Sequence, residues 1–328
     1  MYEISELQAN DYADISDATG FDPETLTAER ADQHLAVIDD RQRIRARCSI
    51  WWRDTASIDN ARVGAIGHYA ADCSSYGSAL LERACRELKA RRCGHAIGPM
   101  DGNTWRHYRF VTERGTAKPF FLEPDNPDQW PDHFAASGFQ VYANYVSELN
   151  PNFHIRQPGI GGLRQKFDDL RVTIEPIDLS RAAEEVQGLY EVVCESFADS
   201  LLYTPLEYDD FAAMYMPFLG MIDSRLILVA RHENRVVGFV FSPPDYLQSG
   251  NAGEIDTIVI KTVAILPRKK YSGLGRVLLV DLLKNAQAMG YRQAISALMH
   301  AENRSQKISS NCAGPMRGYQ LFARALRA

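Results

Sequence analysis

The chain has 328 residues, 45% of them hydrophobic, with a formal net charge of −6 and a pI near 5.8. That length points to two units of about 160 residues, each with enough apolar sequence to bury a core. The acidic balance argues against a protein that binds nucleic acid through an overall basic face, and no run approaches the roughly 20 apolar residues a membrane span requires.

Six cysteines, Cys48, Cys73, Cys85, Cys93, Cys194 and Cys312, are scattered without a CxxC pair or Cys/His ligand spacing, so no structural metal is expected. The N-terminal stretch MYEISELQAND is acidic and carries no secretory pattern. Reduced thiols and a cytoplasmic location are the expectation.

In chain order, residues 1–150 read as a first unit and 151–170 as a Pro- and Gly-rich linker with a short helix near its end. Residues 171–328 read as a second unit. There RVTIEPI is a strand, RAAEEVQGLYEVVCESFA has helical periodicity, and EYDDFAAMYMPFL is a second helix. RLILVARHENRVVGFVFSP is a hairpin about the turn HEN. DTIVIKTVAILP reads as one long, central, buried strand. A loop, LPRKKYSGLG, leads into the helix LGRVLLVDLLKNAQAM; RQAISALM is a strand, NRSQKISSN a short helix and GYQLFARAL a closing strand. The order is βααβββαβαβ, a mixed α/β sandwich of the α+β kind.

The chain also repeats itself. GSALLERACRELKARRCGHAI, from Gly77, aligns with GRVLLVDLLKNAQAMGYRQAI, from Gly275, at an offset of 198 residues. The strand VGAIGHY falls on KTVAILP, and Asn103 follows its strand much as Asn303 follows SALM. The chain therefore reads as two copies of one α/β unit.

The loop between strand and helix carries Arg268, Lys269 and Lys270 with Gly273 and Gly275. Amide groups at a helix N-terminus, with the helix dipole behind them, bind anions. Glycines let the backbone approach without a Cβ in the way. A GxGxxG pattern fails because Leu278 stands at the third glycine, and a Walker A loop fails because Arg276 and Val277 follow Gly275. A plain glycine-softened turn with solvated cations is the alternative.

KYSGLG, Lys270 to Gly275, resembles the Gln/Arg-x-x-Gly-x-Gly/Ala loop of the GNAT superfamily of N-acetyltransferases, with Lys at the Gln/Arg position. The order of elements around it and the FAASGF corner at 134–139 extend the resemblance over both halves. It implies two GNAT-like units in tandem and acetyl-CoA as cosubstrate. It implies pyrophosphate contacts from Arg268, Lys269, Lys270, Tyr271, Ser272, Gly273, Leu274, Gly275 and Arg276. It also implies that the fourth strand splays from the fifth, so that amides at Val263, Ala264 and Ile265 meet the pantetheine arm. Asn303 stands where the family meets the same arm, and it also reads as a helix N-cap. In the first unit Asp72, Ser75 and Gly77 replace Lys270, Gly273 and Gly275, and Ala70 and Ala71 replace two cations. That copy is expected to be degenerate and to bind acetyl-CoA poorly.

For the proton acceptor, Glu254 and Asp256 precede the apolar part of the fourth strand, while His300 and Glu302 end the fifth. For the proton donor, many family members have a Tyr about seven residues beyond the Asn; here that position is Ser310, and Tyr319 is the candidate substitute. GPMDGNTWRHYRF, 98–110, gathers aromatic and basic side chains that suit either an acceptor or packing between the units, and PFFLEPDNPDQWP, 119–131, is a loop able to cover the same region. The expected activity is N-acetyl transfer to a small-molecule or peptide amine. The alternatives are a catalytically silent acyl-CoA sensor and a nucleotide-binding protein of another kind.

Overall fold

The computed structural model describes residues 2–8, 16–17, 29–151, 153, 158–251, 255–301 and 314–326. Glu254, Glu302, Asn303 and the helix expected over 303–311 lie outside the described residues. The first half contains β1 (Tyr2–Leu7), β2 (Ser16–Asp17), β3 (Gln33–Asp39), β4 (Arg43–Trp51), β5 (Ser57–Ile58), β6 (Ala61–Ala71), α1 (Ser74–Ala90), β7 (His95–Gly98), β8 (Phe110–Glu113), α2 (Trp130–Ala136) and β9 (Gln140–Pro151). The second contains α3 (Ile160–Asp169), β10 (Thr173–Pro176), α4 (Ala182–Ser196), α5 (Tyr208–Leu219), β11 (Ile227–His232), β12 (Arg235–Phe241), β13 (Thr257–Ile260), β14 (Thr262–Ile265), α6 (Leu274–Ala288), β15 (Gln293–His300) and β16 (Gly314–Ala325).

The repeat is visible in how the two long helices pack. α1 buries Gly77, Leu80, Leu81, Ala84, Cys85 and Leu88, one apolar stripe. α6 buries Leu278, Leu282, Leu283 and Ala286 at the corresponding turns. Each helix sits against a sheet, and each half has its own apolar core. The β11–β12 hairpin closes on Glu233 and Asn234, both with positive φ (53° and 62°), the pairing a two-residue type I′ turn demands.

The run expected as one strand, Asp256 to Pro267, is two. β13 pairs in parallel with β15, from Thr257↔Gln293 to Ile260↔Ser296. β14 pairs antiparallel with β12, from Thr262↔Phe241 to Ile265↔Gly238, and belongs to a different sheet. Lys261 is the residue between them. In the sequence the run looks nearly continuous, with Lys261 as its one charged interruption, and neither apolar piece announces which sheet it joins.

The larger sheet has the order β1-β3-β4-β6-β7-β16-β9-β15-β13. β16, from the end of the chain, pairs with β7 of the first half, and β9, from the first half, pairs with β15 of the second. β9 and β16 also pair with each other along most of their length. The two halves thus trade their closing strands. The smaller sheet, β10-β11-β12-β14, lies wholly in the second half.

Candidate active site

Beyond Ser296 the parallel pairing of β13 with β15 ends, and β14 turns away to β12. A V-shaped opening remains between β14 and the rest of β15. It widens into a cavity of about 980 Å³. Val263 and Ile265 line one wall and Ser296 to His300 the other. Gly275, Leu279 and Leu283 of α6 line one end. Residues just after α4 and the first-half loop 104–109 close the other side. Ile265 N–H donates to Ser196 Oγ across the edge of β14 at 3.3 Å.

At the α6 end stands the cationic loop. Gly273 caps the helix with φ +96°, a conformation that favours glycine, and a Cβ there would lie 2.6 Å from a Leu163 methyl. The Leu274 and Gly275 amides at the start of α6 have no intrahelical acceptor, so they can face an anion, while Arg276 N–H turns back to Gly273 O at 3.1 Å. Lys269 and Lys270 are exposed, and Arg268 is held by Glu195 at 2.8 Å. Tyr271 and Leu274 are buried in the core, with the Tyr271 hydroxyl against His232 Nδ1 at 2.8 Å. Those two residues can offer an anion only their backbone. α3 braces the loop from outside, because Lys166 donates to Ser272 O at 2.8 Å and Arg164 pairs with Asp281 on α6.

The equivalent place in the first half is filled. β6 pairs with β7 as far as Ala65↔Ile97, and beyond it the chain stays closed, since Met100 N–H donates to Ile66 O at 2.8 Å and His68 N–H to Asp101 Oδ1 at 2.7 Å. Side chains of α2 occupy that region: Phe134 packs edge-on to Tyr69 at 5.0 Å, and Trp130 to Tyr69 at 5.5 Å. Trp130 Nε1 donates to Ala71 O at 3.1 Å. A Cβ on Gly77 would lie 2.3 Å from the Tyr69 hydroxyl and 2.9 Å from His133 Nδ1. On Gly275 it would find Val263 and Ile265 at 3.5 and 3.6 Å, ordinary contact distances. Asp72, the counterpart of Lys270, is tied to Arg45 at 3.0 Å.

No protein-family model and no curated protein matches the chain by sequence. Solved structures do match. A tandem GNAT protein from the clavulanic acid biosynthesis pathway aligns over 100% of this chain and 99% of its own, with TM-score 0.53 and 10% identity. A GCN5-related N-acetyltransferase from Sphaerobacter thermophilus aligns over 100% and 96%, with TM-score 0.53 and 11% identity. A GCN5-related glucosamine N-acetyltransferase region of a fungal multi-domain β-N-acetylglucosaminidase gives TM-score 0.58 at 12% identity; this chain covers only 38% of that larger protein.

The chain has a tandem GNAT fold.

Within the tandem GNAT fold, the residues expected to carry chemistry divide. Val263, Ile265 and Gly275 line the cavity, and Ala264 is buried beside them. His300 also lines it, edge-on to Tyr145 at 5.1 Å. Asp256 does not reach it. It precedes β13, where its carboxylate accepts from Thr257 Oγ1 at 2.8 Å and its backbone oxygen accepts from Arg292 N–H. Strand rise places it roughly 15–20 Å along the chain from Thr262. Tyr319 is also outside the cavity. It is fully buried, bonded to Ser147 Oγ at 2.9 Å and donating to Glu123, which pairs with buried Arg317 at 2.7 Å. Burial and the Glu123 carboxylate push its pKa well up. It is a structural hydroxyl beneath the site, because β16 runs through the middle of the large sheet.

Two further basic residues face the cavity: Lys261, which the sequence did not single out, and Arg109, from the 98–110 run expected either to contact an acceptor or to pack between the units. Lys261, at the break between β13 and β14, points into it with one long bond to Leu122 O at 3.5 Å. Burial, and then the charge of Arg109, lowers its pKa from 10.5 to about 8. Arg109 is buried, with φ +74°, and its guanidinium lies 3.6 Å from the ring centroid of Tyr108 and 3.9 Å from that of Tyr145. The run 104–109 serves both roles considered for it. Trp105 packs across the units against Tyr203 and Phe211 and donates to Thr204 O at 2.9 Å, while His107, Tyr108 and Arg109 line the cavity. Leu122 and Pro124 bring the 119–131 loop over the same space. Among the described residues, no helix is long and apolar enough to cross a membrane.

Proposed function

We propose that the protein is an acyl-CoA-dependent N-acyltransferase that moves an acetyl group from acetyl-CoA to a small-molecule or peptide amine, using only its second unit for the cosubstrate. The opening between β14 and β15, running from the glycine loop to Lys261, supports this reading above all else. In it the first-turn amides around Gly273, Leu274 and Gly275, with Arg268, Lys269, Lys270, Ser272 and Arg276, hold the pyrophosphate; Tyr271 contributes its backbone. The edge of β14 at Val263 supplies an amide to the pantetheine arm, with the Ile265 N–H already given to Ser196 Oγ, and Asn303 is assigned to the same arm on the sequence resemblance alone. Bound acetyl-CoA supplies an acyl group activated as a thioester. An amide of β14 polarises the carbonyl as negative charge develops on its oxygen. His300, on the opposite wall, accepts the proton of the incoming amine. The 119–131 loop and the end of α4 keep water from the reacting atoms. Direct attack by the amine is the route: its nitrogen forms the new C–N bond to the acetyl carbonyl carbon, the C–S bond breaks, and CoA leaves as the thiolate.

Gly275→Trp tests the cosubstrate site. Its Cβ has room, so the fold survives, but the indole fills the space between α6 and β14. Calorimetry should show acetyl-CoA binding lost while circular dichroism is unchanged; unaltered affinity rejects the assignment.

A catalytically silent acyl-CoA sensor is the second reading. It is favoured by Ser310 at the usual Tyr position and by Tyr319 lying out of reach. Steady CoA release with a panel of amines separates enzyme from sensor.

A further inference from the structure

The cavity holds an imbalance of charge that acyl transfer does not require. Lys261 and Arg109 come from different halves of the chain and face the same space. Neither makes an ion pair among the described residues. Lys261 has one 3.5 Å bond to a carbonyl. Arg109 donates Nε–H to Tyr108 O at 3.2 Å and one Nη1–H to Leu298 O at 2.9 Å. A guanidinium has five N–H groups, so three of these have no acceptor among the described residues. The two tyrosine rings fix the guanidinium plane, and so fix the direction in which those donors point. Asp199 is the one carboxylate among the described lining residues, and it is exposed. Two neighbouring cations in a partly apolar site repel each other and lose hydration, which is costly without a counter-charge. A planar, directed guanidinium with spare donors suits a carboxylate.

We propose that the acceptor carries a carboxylate, and that Arg109 binds it in two-point fashion while Lys261 adds a second positive charge to the same space. This rests on the acyltransferase reading above. It restricts the acceptor to amino acids and related amine-bearing acids. Arg109 belongs to the first-half loop, opposite the β14 edge assigned to the cosubstrate, so its charge serves the acceptor and not the acyl chain. Both residues are positioning and binding groups; neither is assigned a proton transfer.

The test uses the full-length protein saturated with CoA. Binding of α-, β- and γ-amino acids is measured by calorimetry beside that of the matched amino amides. Turnover is then followed with acetyl-CoA and with succinyl-CoA. At least one amino acid should bind about tenfold to a hundredfold more tightly than its amide. Lys261→Met and Arg109→Gln should each remove most of that preference while leaving CoA affinity as it was. Lys261→Met keeps the experiment decisive if the Arg109 variant does not fold. A panel in which no acid outcompetes its amide overturns the proposal, and so does a preference for succinyl-CoA that replaces the need for an acidic acceptor. Loss of CoA binding by the unaltered protein would instead sink the acyltransferase reading, so the two failures are distinguishable.

Discussion

Lys261 holds its amine in surroundings that favour the neutral form. The unfolded chain protonates it up to about pH 10.5, the folded chain only up to about 8. Below pH 8 the folded state bears the whole cost of the buried charge. Between 8 and 10.5 that cost fades, and above 10.5 it is absent. Lys261→Met should therefore stabilise the protein by up to about 3 kcal/mol at pH 7 and by little at pH 11, read from urea midpoints. His34 acts at the other end of the scale. Burial, then the neighbouring His68, lowers its pKa from 6.5 to about 4. Between those values the unfolded chain binds a proton the folded chain refuses, so stability falls as pH drops through the window. His34→Gln, which can keep a hydrogen bond to Ser49, should flatten the fall. The paired glycines give a sharper contrast. Gly77→Ala drives a methyl into Tyr69 and should cost about 1–3 kcal/mol, while Gly275→Ala should leave the melting temperature unchanged or slightly raised.

At the scale of elements, the two copies of one strand-loop-helix unit diverge in what fills the space beside them. The second copy leaves its gap open; the first closes it with Phe134, Trp130 and Tyr69. Calorimetry should accordingly give one acetyl-CoA per chain, and a second tight equivalent would contradict this. The helices, the hairpin turn and the glycine loop were legible in the sequence because each depends on local periodicity or on residues with special backbone freedom. The offset between Gly77 and Gly275 also exposed the loss of cations in the first loop. The break at Lys261 was not legible, since neither apolar half-strand announces which sheet it joins. The run holding Arg109 was legible as a surface for an acceptor or for packing between the units, but the direction of its guanidinium was not. The significance of Arg109 depends on Tyr108 and Tyr145 flanking it and on Lys261 in the same cavity, a meeting of residues distant in sequence. Tyr319 misled for the same reason: a tyrosine near the end of the chain reads as reachable until the sheet order shows what surrounds it.

The whole molecule is held together by the exchange of β9 and β16. The second half alone lacks the strand that covers β15, and the first half alone lacks the strand between β7 and β9. Fragments 1–151 and 158–328 should each fail to give a cooperative urea transition by themselves, yet yield a folded complex when co-expressed. Independent folding of either fragment would show that the exchange is dispensable.

The same exchange sets an order of events during synthesis. β16 lies later in the chain than every strand it pairs with, yet it sits near the centre of the large sheet. The first half therefore leaves the ribosome with β7 and β9 unpaired on their shared side, and it must keep those edges from other chains until β16 emerges. Long-range pairing of this kind folds slowly and exposes open strand edges in the interval. The nascent first half is thus the stage at which this protein is most dependent on chaperones, and the stage at which slow translation would do it most harm.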